Sequence, residues 1–195
     1  MSSDEEEKYF KQRDAEKLAQ ARREKQLAAV REREREGVQD VLQSSEEVAD
    51  EALSLGFDSQ TARVLPLVPL IQMAWADGSV STAESEKVEE LAAGFGIEED
   101  TPAHNFLTLL LSEQPSDVFF ERVNRVITHL VDDNPEYWKD KSVVELSREV
   151  AEASGGFFNL TSPINADEGN LLSDFATLFA VQEKGAGDVI SNGDE

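Results

Sequence analysis

The side chains that could carry out chemistry in this chain are almost all carboxylates. Its 195 residues include 41 Asp and Glu, two histidines (His104 and His129) and no cysteine. The histidines fall on different predicted helices without a third nitrogen or sulfur ligand, so nothing indicates a zinc or copper site. Carboxylate oxygens suit hard cations instead, so Ca²⁺ and Mg²⁺ are the metal ions that this composition could bind.

No catalytic constellation is recognisable in the sequence. Serines are plentiful, but none stands in a nucleophile elbow or an equivalent setting with a suitable base. No glycine loop has the spacing of a phosphate-binding or dinucleotide-binding motif. The stretch Gly94-Phe95-Gly96 lacks a preceding strand and is typical of a helix end. The sequence therefore predicts a protein that is not an enzyme and has no organic cofactor.

The net negative charge of the chain comes entirely from the residues that follow position 36. Residues 1–36 hold ten of the 18 Lys and Arg and ten of the 41 Asp and Glu, so this segment is neutral. The eight basic and 31 acidic residues that remain carry the whole formal net charge of −23. Such a surface repels phosphate backbones and anionic membranes, which argues against nucleic-acid binding. It would attract protein partners with basic surfaces, or divalent cations.

Several features of the sequence favour a cytoplasmic location. No stretch approaches the roughly 18 uninterrupted apolar residues of a membrane span. The first residues include Asp4 to Glu7, the opposite of the basic and then apolar order of a signal peptide. The absence of cysteine also fits a reducing compartment.

The first 44 residues are predicted to form an exposed helical arm. Asp4 to Leu42 is rich in Glu, Lys, Arg, Ala, Gln and Leu, with neither Pro nor Gly before Gly37. Opposite charges recur three or four residues apart, which stabilises an isolated helix. Such pairs are Glu7 with Lys11, Asp14 with Lys17, Arg31 with Glu34, Glu32 with Arg35, and Arg33 with Glu36.

The apolar residues of the arm do not indicate a coiled coil. Tyr9, Phe10, Leu18, Leu27 and Val30 do not keep a heptad over three repeats. The adjacent aromatic pair is the only substantial apolar feature of the segment. Tyr9 and Phe10 are therefore the candidate partner-binding residues.

Residues 45–181 are predicted to form an all-α domain, followed by a disordered, acidic, Gly-rich tail at 182–195. An amphipathic helix from Val38 to Leu55 connects the arm to this domain, and no segment has the alternation of a strand. Caps and prolines mark most of the helices. The next helix starts near Pro66 or Pro69 and runs to about Ala76, and the others span Thr82 to Ala93, Thr101-Pro102 to before Pro115, Ser116 or Asp117 onward, Asn134-Pro135 to Gly155, and Asn165 to Val181.

Two stretches of the domain, 74–84 and 151–168, resemble each other. Each consists of a helix end, a glycine turn, one apolar residue, and a Ser or Asn with Glu three residues later, and the second copy has an insertion after its glycine turn. That spacing is typical of a capping box, in which the cap and the glutamate satisfy each other's backbone donors. The two boxes are Ser81 with Glu84 and Asn165 with Glu168. The pattern predicts two pseudo-repeated halves.

Across roughly residues 58–181 the sequence resembles the TerB-like family of helical domains, associated with tellurite resistance. The resemblance rests on Trp75-Ala76-Asp77-Gly78-Ser79-Val80 with Glu84, and on Ala151-Glu152-Ala153-Ser154-Gly155-Gly156-Phe157 before the last helix. It implies a compact helical bundle, an acidic surface suspected of holding divalent metal, and membership of a stress-associated family. Ser154 departs from the pattern, because it stands where Asp77 stands in the first copy.

The resemblance also supplies a candidate metal site. Asp77 and Glu84 match the acidic positions of the family, and Asp167 and Glu168 lie near the equivalent turn of the second copy. Oxygen ligands at helix ends would suit Ca²⁺ or Mg²⁺. The alternative is structural, since Asp-Gly is an ordinary turn and Glu84 is explained by its capping box.

Three functions follow as expectations. The first is a TerB-like interaction or adaptor module, with an acidic domain and a helical arm. The second is a divalent-cation-binding stress module. The third is a regulator whose arm inserts into a partner enzyme, because Glu5-Glu6-Glu7-Lys8-Tyr9-Phe10-Lys11 with Glu16-Lys17-Leu18-Ala19 resembles the inhibitory region of the mitochondrial ATP synthase inhibitors.

Overall fold

The chain folds into helices, as seen in a computed structural model that describes residues 3–134, 143–155 and 166–179. The predicted all-α class is confirmed, and these ranges contain no strand. The α-helices are α1 (Ser3–Leu42), α2 (Glu46–Ser54), α3 (Val68–Ala74), α4 (Thr82–Gly94), α5 (Pro102–Ser112), α6 (Asp117–Asp133), α7 (Val143–Gly155) and α8 (Ala166–Phe179), with a 3₁₀ helix at Ala62–Leu67. The predicted tail at 182–195 lies outside the described residues, as do Pro135, Gly156 and Asn165.

Helix α1 combines an exposed shaft with a buried root. Residues 8–33 are exposed, whereas Val38 and Leu42 are fully buried in the core. Gly37 allows this approach, because a Cβ atom there would lie 2.6 Å from the Cβ of Ser59. The exposed length, at about 1.5 Å per residue, is close to 40 Å. The helix is continuous from Ser3 to Leu42, so the exposed shaft leads directly into the buried residues Val38 and Leu42.

Polar contacts fix the root of α1 to its neighbours. Arg35 contacts both carboxylate oxygens of Glu32, at 2.5 and 2.6 Å, and also forms an ion pair with Glu46 of α2. Glu34 accepts hydrogen bonds from the backbone N–H of Ser59 at 3.2 Å and from its hydroxyl at 2.7 Å. The predicted pair Glu32–Arg35 is therefore formed, whereas Glu34 turns to Ser59 instead of Arg31.

The 3₁₀ helix and α3 form the centre of the core. Every residue from Val64 to Ile71 is buried, and all of them are apolar. The sequence predicts one helix here, but the structure divides the segment between Leu67 and Val68. Proline accounts for part of the division, since Pro66 and Pro69 lack a backbone N–H and cannot donate the hydrogen bonds that one continuous α-helix would need.

Side-chain caps begin three of the helices where the sequence places them. The hydroxyl of Thr101 accepts the N–H of His104 at 3.2 Å, and that of Ser116 accepts the N–H of Phe119 at 3.3 Å. Ser81 caps α4, and each cap satisfies a donor that has no partner within its helix.

The remaining helices pack around α3. Helix α7 contacts α3, α4 and α8, while α6 contacts α2 and α3. Phe57, in the loop after α2, lies edge-on to Phe106 of α5 and stacks with Phe119 of α6. None of the helices in the described ranges combines the length and apolar character needed to cross a bilayer.

We expect Leu42→Ala to lower the free energy of unfolding by about 2–5 kcal/mol, because it leaves a cavity between the root of α1 and the core. Urea denaturation of the full chain measures this. Leu27→Ala is the matched control: its side chain is 70% exposed, so a change within about 0.5 kcal/mol is expected. Equal destabilisation by the two variants would contradict the anchoring of α1 through its root.

Candidate functional site

The candidate site begins at the turn between α3 and α4. Trp75 ends α3 and donates its indole N–H to the carbonyl of Leu110 in α5, at 2.9 Å. Asp77 is exposed and accepts hydrogen bonds from the N–H of Ser79 at 3.0 Å and from its hydroxyl at 3.3 Å. Gly78 has a φ of 90°, which favours glycine. Asp77 therefore closes a local turn, which is the structural alternative to a metal ligand.

Glu84 is a buried carboxylate within the predicted capping box. Only 2% of the residue is exposed. One carboxylate oxygen accepts the N–H of Ser81 at 2.7 Å, and the Ser81 hydroxyl accepts the N–H of Glu84 at 3.3 Å. The capping box is confirmed, and it accounts for one of the two oxygens of Glu84.

Glu168 and Asp167 occupy different environments in the first turn of α8. Glu168 is 2% exposed, whereas Asp167 is exposed. The N-cap predicted for this helix, Asn165, lies outside the described residues. The structure thus brings Glu168, but not Asp167, into the protein interior.

Three of the four candidate metal ligands influence one another electrostatically. Burial raises the pKa of Glu84 above its ordinary value of 4.5, and the hydrogen bonds from Ser81 oppose this effect. The negative charges of Asp77 and Glu168 raise it further. The proximity of Glu168 is the notable result, because it lies 84 positions from Glu84 in the sequence.

The described residues do not assemble a complete metal site. Within these ranges no three His, Cys, Asp or Glu side chains are grouped so that they could hold a metal ion. Asp77, Glu84 and Glu168 share an electrostatic environment without forming such a group. Metal binding by these residues and Asp167 stays a prediction.

A basic side chain joins two helices close to this site. Lys87 of α4 contacts Glu149 of α7 at 2.9 Å and Glu90 at 3.3 Å. The hydrogen bond to Glu149 is the largest cause of a raised pKa of Lys87. Sequence reasoning missed the bridge between α4 and α7, because no local spacing relates Lys87 to Glu149.

The candidate partner-binding residues lie on the shaft of α1. Tyr9 is 56% exposed and Phe10 is 53% exposed. Their ring centroids are 5.8 Å apart in an edge-to-face arrangement, and the guanidinium of Arg13 lies 5.7 Å from the centroid of Phe10. These contacts are local to one face of the helix, so both rings remain accessible.

Comparison with known proteins leaves the family open. No protein-family model matches the chain, and neither a curated protein nor a solved structure does. The TerB-like resemblance therefore continues to rest on the residues quoted for it, around Asp77 and Ser154.

We expect Glu84→Gln to change how the free energy of unfolding depends on pH. A raised pKa means that protonated Glu84 favours the folded state; this stabilisation is complete below pH 4.5 and is lost as the pH rises through the folded-state pKa. Glutamine also suits a capping box and does not titrate. The variant should therefore gain stability relative to the unaltered protein as the pH rises towards 7.

Urea denaturation at several pH values measures this difference. Glu84→Ala provides the comparison, since it removes the cap and should cost about 0.5–2 kcal/mol even at low pH. A difference between Glu84→Gln and the unaltered protein that stayed constant with pH would refute the role of burial.

Proposed function

We propose that this chain is a non-enzymatic, TerB-like interaction module of the cytoplasm that presents α1 to a protein partner. The observation that supports this proposal is the continuity of α1 from a buried root at Val38 and Leu42 to an exposed shaft at residues 8–33. Most helices in proteins are stabilised by packing of an apolar face. Among the described residues the shaft has no such contact with its own chain, which is the arrangement expected of a helix that is completed by a partner.

The aromatic pair, Tyr9 and Phe10, supplies the shaft with side chains that can be buried in a partner's surface. Tyr9 and Phe10 are among its few large apolar side chains, and aromatic residues carry much of the energy of protein interfaces. The nearby cation of Arg13 can accompany Phe10 into an interface through its contact with the ring face. The acidic body, for its part, favours partners with basic surfaces.

The first experiment compares full-length variants. Tyr9→Ala with Phe10→Ala should weaken binding of a co-purified partner at least about tenfold, since about 1.4 kcal/mol is tenfold and an aromatic anchor often contributes more. Leu27→Ala is the matched control, because it removes an exposed apolar side chain from the same helix. Co-purification identifies the partner, and titration calorimetry with the purified partner gives the affinity of each variant.

An unchanged affinity in the double variant would exclude the pair as the anchor. Full-length protein is used because a fragment that began at residue 45 would lose the core residues Val38 and Leu42. If the partner is an enzyme, the same variants decide whether the arm acts as an inhibitor. An inhibitory effect that survived the double substitution would remove this alternative.

Divalent-cation binding is the second candidate function. The observation that favours it is the repulsion that Asp77 and Glu168 each exert on the carboxylate of buried Glu84, which a cation would relieve. Within the described residues, Asp77 and Glu84 each hold one carboxylate oxygen to which the structure assigns no hydrogen bond. These oxygens would be the first ligands.

We expect a bound cation to raise the melting temperature of the full chain. At about 1 mM Ca²⁺ or Mg²⁺, a site with a dissociation constant near 10 µM adds about 2.7 kcal/mol. Asp77→Asn should remove the increase, whereas Asp100→Asn, at an exposed loop position, should keep it. Equal small shifts with both cations, unaffected by Asp77→Asn, would indicate screening of an acidic surface and not a site.

A further inference from the structure

The exposed shaft of α1 carries a charge opposite to that of the rest of the chain. Residues 8–31, called the cationic shaft below, contain eight of the 18 Lys and Arg but only three of the 41 Asp and Glu. The remaining residues hold ten basic and 38 acidic side chains. The neutral balance of residues 1–36 conceals this separation, because acidic residues lie on both sides of the shaft. Every residue of the cationic shaft is exposed.

Four of the eight cations on the shaft form no ion pair among the described residues and are available for an intermolecular contact. In the part of the chain that the structure describes, no ion pair involves Arg22, Arg23, Lys25 or Arg31. The cation of Arg35, by contrast, is committed to α2 through Glu46 and Asp50. Near the C-terminal end of α1, Arg35 is therefore paired within the chain, whereas the cations of the shaft face solvent.

The body of the same chain presents a complementary surface. Residues 77–100 contain eight Asp and Glu and a single basic residue, Lys87, whose ammonium already contacts Glu149 and Glu90. Apart from Asp77 in the turn before α4, the exposed carboxylates of this stretch are called the α4 acidic surface. They belong to Glu86, Glu89, Glu90, Glu98, Glu99 and Asp100.

The shaft does not reach this surface within its own chain. The burial of Val38 and Leu42, the approach of Gly37 to Ser59 and the contacts of Arg35 fix where the shaft leaves the body. The exposure of the entire shaft shows that it packs on no part of the body that the structure describes. A protein surface that complements the shaft would therefore belong to another molecule.

We propose that the cationic shaft docks on the α4 acidic surface of a second copy of this chain. Two copies can exchange shafts reciprocally around a twofold axis, so that each supplies one shaft and one acidic surface. A nucleic acid is a poorer occupant, since docking would bring its phosphates towards a body, residues 37–195, with 23 more acidic than basic residues. For a second copy, by contrast, the acidic surface of one molecule attracts the cationic shaft of the other.

Salt weakens the long-range repulsion between two acidic molecules at lower concentrations than it weakens the attraction between charges in contact. At about 0.15 M ionic strength the Debye length is about 8 Å, so charges in direct contact still interact while more distant faces are screened. At about 1 M salt the length falls to about 3 Å and the contact itself weakens. The proposal shares the assumption of the proposed function that α1 is an interaction element, but it depends on different residues.

The test uses sedimentation velocity of the full chain and two charge-reversed variants. The unaltered protein should form dimers at about 0.15 M salt that dissociate at about 1 M. The shaft variant, Arg22→Glu with Arg23→Glu and Lys25→Glu, should be monomeric, and so should the surface variant, Glu86→Lys with Glu89→Lys and Glu98→Lys. An equimolar mixture of the two variants should restore the dimer, because each reversed surface then meets a reversed partner.

A neutral variant of the shaft provides the control. Gln12→Ala with Gln20→Ala and Gln26→Ala changes the same helix without changing its charge, and should leave the dimer intact. Circular dichroism establishes that all variants keep their helix content. The variant Tyr9→Ala with Phe10→Ala should also remain dimeric, which separates this interaction from binding of a partner at the aromatic pair.

Three results would overturn the proposal. The first is a monomeric unaltered protein at every salt concentration. The second is a dimer that persists in either charge-reversed variant, and the third is a mixture of the two variants that stays monomeric. Retention of a monomeric protein by a DNA duplex, lost in the shaft variant, would assign the cations to nucleic acid instead. Loss of partner binding in the Tyr9 and Phe10 variant without loss of the dimer would affect the proposed function alone.

Discussion

The burial of the root of α1 is the contact on which the rest of the arrangement depends. Val38 and Leu42 lie fully inside the core, so the helix that ends there cannot turn independently of the body. Gly37 removes the one side chain that would collide with Ser59, and Arg35 joins the root to α2. These contacts give the projecting helix a defined point of attachment to the body. Both the accessibility of the aromatic pair and the separation of shaft from acidic surface follow from that geometry.

The start of α4 combines two opposed physical demands. A carboxylate at the third position satisfies the backbone N–H of Ser81 and completes the cap. The same burial that protects this hydrogen bond disfavours the charged form of Glu84, and Asp77 and Glu168 add to the effect. The side chain of Glu84 therefore both caps the helix and carries a charge that its surroundings disfavour. This is why a structural role and a cation-binding role point to the same residue.

Local rules predicted much of the fold correctly, while long-range contacts escaped them. The caps at Ser81, Thr101 and Ser116 follow from the residues themselves, because cap and first turn are adjacent in sequence. The division between Leu67 and Val68 was missed, since either proline was a plausible start for one helix. For the candidate site, the spacing predicted the capping box of Glu84. It could not distinguish buried Glu168 from exposed Asp167 or find the bridge from Lys87 to Glu149.

The sequence by itself determined the all-α class, the helical arm and the charge of each segment. These properties depend on composition, on periodicity and on neighbours a few positions apart. Only the tertiary structure decided that the arm and the core share one continuous helix and that Glu84 is buried within the electrostatic reach of Glu168. The reason is physical: burial and the approach of distant residues are set by how helices pack. The residues that decide that packing, such as Gly37 against Ser59, have no relation to one another along the chain.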